Sequence, residues 1–289
     1  MTADSGAPHR FNGPVVPIIA MNSAHRRRKE TLVSDLDGKV AVITGGANGI
    51  GLACAQKLSD EGANIVIADI DLTAAQKRAD ELPTDSLGVH LDVRDSASAN
   101  ELASRVSREY GRVDILVNNA GMNIGARNTT DVTDEEFDLL MSINVRGTFT
   151  TTRALLPALV EQRGGSIINM SSICGHRGIA LIAPYSASKF AIVGMTQSLA
   201  AELGQYDITV NSVHPGIVAT DLHVKVVEEF SGLKGLSFED GWDGFLSSIP
   251  LGRLQTTEDI GDMVAFLTSK KARNITGSAF NVDGGLLLA

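Results

Sequence analysis

The chain has 289 residues, 43% hydrophobic and 20% charged, with a formal net charge of −9 and two cysteines. That length accommodates one large α/β domain with an ample core, and the acidic balance argues against a nucleic-acid or anionic-membrane binder, which needs a basic face. Cys54 and Cys174 form no CxxC, there is no HExxH, and no apolar run nears a membrane span, so disulfide-scaffold, zinc-site and transmembrane readings give way to a cytoplasmic globular protein.

Composition shifts early. Residues 1–36 hold five basic side chains (Arg10, Arg26, Arg27, Arg28, Lys29) and three acidic ones (Asp4, Glu30, Asp35), a net of +2 that leaves −11 for the rest. With Pro8, Pro14 and Pro17 and no sustained period, this stretch reads as an N-terminal extension outside the core fold. Its apolar patch, Val15 to Met21, is broken by Pro17 and lacks a clean basic flank, which disfavours a secretory signal. The run from His25 to Lys29 reads as a solvated tail or a strap on a subunit surface, with an address or an anion contact as the alternative.

From Lys39 the punctuation is regular. Short apolar runs at 39–44, 64–69, 88–93, 114–119, 166–172, 208–213 and 279–285 read as strands. Helical periods are expected over 49–62, 71–82, 96–111, 134 to about 160, 184–205 and 257–268, with a long irregular insert at 217–254. This alternation predicts βαβ units with right-handed crossovers. The expected fold is α/β: a single Rossmann-like domain over 37–289, its doubly wound parallel sheet flanked by helices, with ligands outside the carboxyl ends of the strands.

The first strand runs into Thr44-Gly45-Gly46-Ala47-Asn48-Gly49-Ile50-Gly51. Glycines between a strand and a helix let the backbone turn sharply and approach a pyrophosphate at the helix N-terminus. The second strand ends at Asp69, whose carboxylate can accept hydrogen bonds from both adenosine ribose hydroxyls and would repel a 2′-phosphate. Neither Asn48 nor Ile70 is basic, so NAD(H) is favoured over NADP(H). A helix-capping role for Asp69 is the alternative, but Asp71 can serve it equally well.

Tyr185 and Lys189 lie four apart, on one face near a helix start. Ser172 ends a strand thirteen residues before Tyr185, Asn118-Asn119-Ala120-Gly121 follows another strand, and Asn144 sits within a helix. Together with the glycine loop, Pro215-Gly216 and Val282 to Gly285, taken in order, these residues resemble the short-chain dehydrogenase/reductase family from about Gly38 to the C-terminus. The resemblance implies that Asn144, Ser172, Tyr185 and Lys189 are catalytic. Asn144 would help keep a water chain to Lys189, and Lys189 would also bind the nicotinamide ribose. Cofactor contacts are implied at Gly45, Asn48, Gly49, Ile50, Gly51, Ala120, Gly121, Pro215, Gly216 and Val218. Asp92 with Val93 would touch the adenine, Asn118 would have a cofactor-side role, and Thr220 would meet the carboxamide. A homotetramer, or a dimer as second choice, is also implied, with contacts through the helices from Asp134 and Pro184.

The chemistry accounts for these residue types. Hydride transfer between an alcohol carbon and nicotinamide needs a proton moved on or off the oxygen. A tyrosine titrates near 10, so it serves as a base only when its anion is stabilised, as a neighbouring ammonium would do. Ser172 would donate to the substrate oxygen; its neighbour Ser171 points the other way on an extended segment. The substrate pocket is expected from residues 122–127, 173–183 and the insert, with Asn123, Arg127, Cys174, His176, His223 and Trp242 as contacts. The insert reads as an amphipathic lid, with Gly232, Gly235, Gly241 and Gly244 allowing movement. The polar candidates fit a polyol, sugar or hydroxy acid, and the apolar lid fits a bulkier secondary alcohol or ketone. The expected activity is NAD(H)-dependent interconversion of a secondary alcohol and a ketone, without a metal. The alternatives are a 3-oxoacyl-thioester reductase using NADPH and a non-catalytic NAD(H)-binding regulator.

Overall fold

The computed structural model describes residues 35–219 and 221–288, with residues 221–223 described as backbone only. Thr220, the His223 side chain and nearly all of the N-terminal extension lie outside the described residues. The extension's expected boundary at 36 needs correction. Leu36 is 2% exposed, because its side chain packs in the core with Ala41 and Ile43.

The strands are β1 (Val40–Thr44), β2 (Asn64–Asp69), β3 (Leu87–His90), β4 (Ile115–Asn118), β5 (Gly165–Met170), β6 (Ile208–Pro215) and β7 (Ala279–Val282). They form one parallel sheet in the order β3-β2-β1-β4-β5-β6-β7. The winding direction reverses between β1 and β4, which opens a crevice beyond their carboxyl ends. The helices are α1 (Gly49–Asp60), α2 (Leu72–Asp80), α3 (Ser96–Tyr110), α4 (Asp134–Met141), α5 (Gly147–Gln162), α6 (Ala183–Leu203), α7 (Asp221–Lys234), α8 (Phe238–Ser247) and α9 (Thr257–Thr268).

All five β1 residues are buried, as a strand covered on both faces requires. Ala41 and Ile43 join one core with Leu58 of α1 and Ile260 and Val264 of α9. Val40 and Val42 join the other, with Leu102 of α3, Leu155 and Leu159 of α5 and Leu203 of α6. At the amino end of the sheet, Asp114 accepts from Arg112 Nη2 (2.6 Å), Lys39 Nζ (2.9 Å) and the Val40 amide (3.0 Å). Burial alone would raise this carboxyl, but those three donors together hold it below its ordinary range. This end has a structural role, and the opposite edge is left for chemistry.

Two elements differ from expectation. The helix expected from 134 to about 160 carries a π-helical turn over Ser142–Arg146 between α4 and α5. The insert is helical rather than irregular. Two of its glycines have packing or turn roles: Gly235 (φ +67) terminates α7, and a Cβ on Gly241 would collide with Ser231, so Gly241 permits close α7–α8 packing.

Candidate active site

The β1–α1 turn has a backbone suited to receiving an anion. Gly45 (φ +61) and Gly49 (φ +55) hold left-handed backbone that suits glycine. Asp71, Asp95, Thr133, Ser237 and Thr256 cap α2, α3, α4, α8 and α9, but no side chain caps α1. The first α1 amides and the positive end of its dipole are therefore left for a ligand. Gly49 faces open space, whereas a Cβ on Gly51 would collide with the Gly45 carbonyl and come within 2.5 Å of Asn119 Nδ2. Asn119 Nδ2 donates to the carbonyls of Thr44 (3.0 Å) and Gly45 (2.9 Å), and Thr44 Oγ1 accepts from the amides of Asn119 and Ala120 (3.0 Å each). The glycine turn and the Asn119–Ala120 turn are thus one knot across the β1/β4 crevice.

Asp69 stands beside this turn. Its Oδ2 accepts from the Ala47 amide and its Oδ1 from the Asp71 amide, both at 3.1 Å. Each oxygen keeps acceptor capacity, while Asp71 caps α2 through the Ala74 amide. Asn48 and Ile70 are both exposed beside it, the latter at 63%. An uncapped helix end, a left-handed glycine facing open space and a carboxylate with remaining acceptor capacity fit a dinucleotide.

One of the expected cofactor contacts, Asn118, is enclosed by the fold. The Asn118 side chain is 3% exposed and donates to Thr152 Oγ1 and Asn169 Oδ1 (2.9 Å each), so it ties the sheet to α5 instead of facing the crevice. Asp92 is gripped bidentately by Arg94 (2.9 and 2.7 Å), and that pairing holds it below its ordinary value. Val93 is buried where a Gly147 Cβ would press on it. Gly121 approaches both Asn144 Oδ1 and Lys189 Nζ, and Gly216 and Val218 lie at the end of β6, where Gln255 fills the space a Gly216 Cβ would take.

The strand ends bring the four expected catalytic residues together. Ser171 and Ser172 diverge as alternation requires: Ser171 Oγ donates to the Lys189 carbonyl (3.0 Å), and Ser172 Oγ is left toward Tyr185 and the Cys174 amide. Lys189, 6% exposed, donates from Nζ to the Met170 carbonyl (3.0 Å), and burial pushes its ammonium down to about 8. Its Nζ lies 5.4 Å from the Tyr185 ring centre. Burial pushes the half-buried Tyr185 phenol above its ordinary value, with the Ser172 hydroxyl acting in the opposite sense. Asn144, in the π turn, exchanges both side-chain bonds with Met122 (2.8 and 2.9 Å) and donates to Ser188 Oγ (3.1 Å). This places it beside Ser188 and across Gly121 from Lys189.

A family model described as enoyl-(acyl carrier protein) reductase matches residues 45–287. Galactitol 2-dehydrogenase of Agrobacterium fabrum is 39% identical over 86% of this chain and 98% of its own length. The chain belongs to the short-chain dehydrogenase/reductase family. A second relative in this family, 3-oxoacyl-[acyl-carrier-protein] reductase of Thermotoga maritima, is 36% identical over 88% of this chain and 99% of its own. Among solved structures, the 3-ketoacyl-(acyl-carrier-protein) reductase from Brucella melitensis complexed with NADH superposes with a TM-score of 0.80 at 34% identity, covering 88% and 100% of the two chains.

Around Tyr185 in this short-chain dehydrogenase/reductase, several of the expected pocket contacts are engaged by other groups. Arg127 pairs with Glu136 (3.4 Å) and donates to the Ile124 carbonyl. Asn123 Oδ1 accepts from the Gly125 amide. His176 packs its ring 4.2 Å from that of His214, and Trp242 stacks on Phe238 at 5.6 Å. Cys174 is buried beside Ser172, and burial pushes its thiol up, so it is a neutral wall residue. Sequence reasoning missed the C-terminal Leu286 and Leu287, which pack in the same cluster as Tyr185. Their position next to the Asp283-Gly284-Gly285 turn was the available signal.

Proposed function

We propose that this short-chain dehydrogenase/reductase is an NAD(H)-dependent oxidoreductase that interconverts a secondary alcohol and a ketone. One observation carries this reading: Ser172, Tyr185 and Lys189 converge at the strand ends beside the uncapped α1 turn. The dinucleotide, when bound, supplies the hydride donor or acceptor. The Ser172 hydroxyl holds the substrate oxygen near the phenol. Tyr185 Oη gives its proton to that oxygen during reduction and removes one during oxidation. Since burial keeps the phenol protonated at neutral pH, the site is poised for reduction there, and oxidation strengthens as pH rises. Lys189 is fixed by Met170, and Asn144 supports the Met122 segment across from it. Gly45, Asn48, Gly49, Ile50, Gly51, Ala120 and Gly121 would hold the pyrophosphate and neighbouring ribose side. Asp69 would hold the adenosine ribose, and Pro215, Gly216 and Val218 the nicotinamide side.

Asp69 supports NAD(H) over NADP(H), because a 2′-phosphate would meet a carboxylate, and neither Asn48 nor Ile70 beside it is basic. Fluorescence titration is expected to give tighter binding of NADH than of NADPH. Asp69→Ala should narrow that gap by about tenfold, roughly 1.4 kcal/mol. Tighter NADPH binding by the unaltered protein would favour the second reading, a 3-oxoacyl-thioester reductase, which the Thermotoga maritima relative supports. We place the subunits in a tetramer, with a dimer second. Phe137, Leu139, Phe149 and Phe190 support this, being 38–49% exposed on α4, α5 and α6.

A further inference from the structure

We infer that the substrate of this site carries an apolar arm, so that the enzyme acts on alkyl- or aryl-substituted secondary alcohols and ketones in preference to polyols. The inference rests on the alcohol–ketone reading above. Tyr185 shares one cluster with Ile173, Ile182, Phe230, Leu286 and Leu287, drawn from three separate parts of the chain. Two polar ties deliver the outer members. On α7, Glu229 Oε2 accepts from the Ala126 amide at 3.0 Å, and the Gly125 backbone (φ +88) makes room for that carboxylate, since a Cβ there would collide with it. The adjacent Phe230 is thereby held against the wall. At the C-terminus, Asp283 accepts from the amides of Gly285 and Leu287, both at 2.9 Å, and the left-handed Gly284 and Gly285 turn the leucines back toward Tyr185.

The wall is built by polar groups that are consumed in building it. Glu229 and Asp283 face backbone amides, Arg127 faces Glu136, and the Asn123 oxygen faces the Gly125 amide. Beyond the reacting oxygen, which meets Ser172 and Tyr185, a polyol would place its remaining hydroxyls against Ile173, Ile182, Phe230, Leu286 and Leu287, which offer them no partner. An alkyl or aryl group would instead bury apolar surface, worth about fourfold in binding per methylene.

The test is NAD⁺-dependent oxidation of 2-butanol, 2-hexanol and 2-octanol beside sorbitol, galactitol and xylitol, with NADH binding followed in parallel. We expect kcat/KM to rise at least about tenfold from 2-butanol to 2-octanol, and 2-octanol to exceed every polyol. Phe230→Ala and Leu286→Ala should each flatten that rise while leaving NADH affinity unchanged. Polyols turned over as well as 2-octanol, or a flat alkanol series, would overturn the apolar arm and leave the alcohol–ketone reading standing. No turnover of either series by a protein that binds NADH would overturn both.

Discussion

Tyr185→Phe is expected to lower kcat/KM for ketone reduction by about 10²–10⁴-fold while NADH binds within about twofold of the unaltered protein. The change removes one oxygen from a side chain otherwise kept in its apolar cluster, so the fold has no reason to shift. The loss falls on the chemical step because the phenol holds the transferable proton. Burial places its titration above the ordinary tyrosine value, so the group is an acid throughout the neutral range. The neighbouring groups cannot replace it. The Ser172 hydroxyl can hydrogen-bond the substrate oxygen but is too weak an acid to surrender its proton to it, the Cys174 thiol is raised by burial, and Lys189 Nζ is held on the Met170 carbonyl. Stopped-flow reduction with saturating NADH separates the two measurements. Turnover within tenfold of the unaltered protein would remove Tyr185 from the role proposed for it, and a parallel loss of NADH binding would place it in cofactor retention instead.

The same residues show where sequence is readable and where it stops. The strands stood out because a sheet buried on both faces demands unbroken apolar runs, as in Val40–Thr44. The Gly45–Gly51 turn, Asp69 and the Ser172/Tyr185/Lys189 set were legible because each depends on local spacing, and the sheet then brings the strand ends together. What spacing cannot tell is which partner wins a side chain. Tyr185 and Lys189 at i, i+4 predicted a shared face, but not that the Met170 carbonyl would take the ammonium. Arg127 looked available until α4 supplied Glu136 to it, and Asn118 looked cofactor-facing until Thr152 and Asn169 enclosed it. The π turn at Ser142–Arg146 has no local signature; it follows from Asn144 bonding Met122 and Ser188, both distant in sequence. Helix α8 was the avoidable miss, since Ser237 three residues before Asp240 is an N-cap pattern.

His214 carries the second large effect, and its consequence is a stability that depends on pH. The side chain is fully buried on β6, and its Nδ1 lies 2.8 Å from the Ser172 carbonyl, which can only accept. Nδ1 therefore bears the proton, and Nε2 accepts from Ser212 Oγ at 2.8 Å. A neutral ring satisfies both partners, whereas a charged one would force a donor onto Ser212 in a dry interior. Burial, then the His176 ring at 4.2 Å and the nearby Lys189, push His214 down to about 4, and the Ser172 bond, acting upward, does not reverse this. An unfolded chain binds that proton from about pH 6.5 downward, while the folded one resists until about 4. Stability from this residue is thus complete above pH 6.5 and is lost as pH falls, by about 2 kcal/mol at pH 5 and about 3 kcal/mol at pH 4. Carboxylates such as Asp92 and Asp114, which are also held low, add their own acid loss, so the informative quantity is a difference. His214→Gln keeps a donor for the Ser172 carbonyl and cannot titrate. It should be less stable than the unaltered protein at pH 7.5, and the gap should close by about 2 kcal/mol at pH 5 in urea unfolding at matched protein concentration. A gap that stays constant between those pH values would mean that His214 accepts its proton in the fold as readily as in the open chain, against the burial and bonding that surround it.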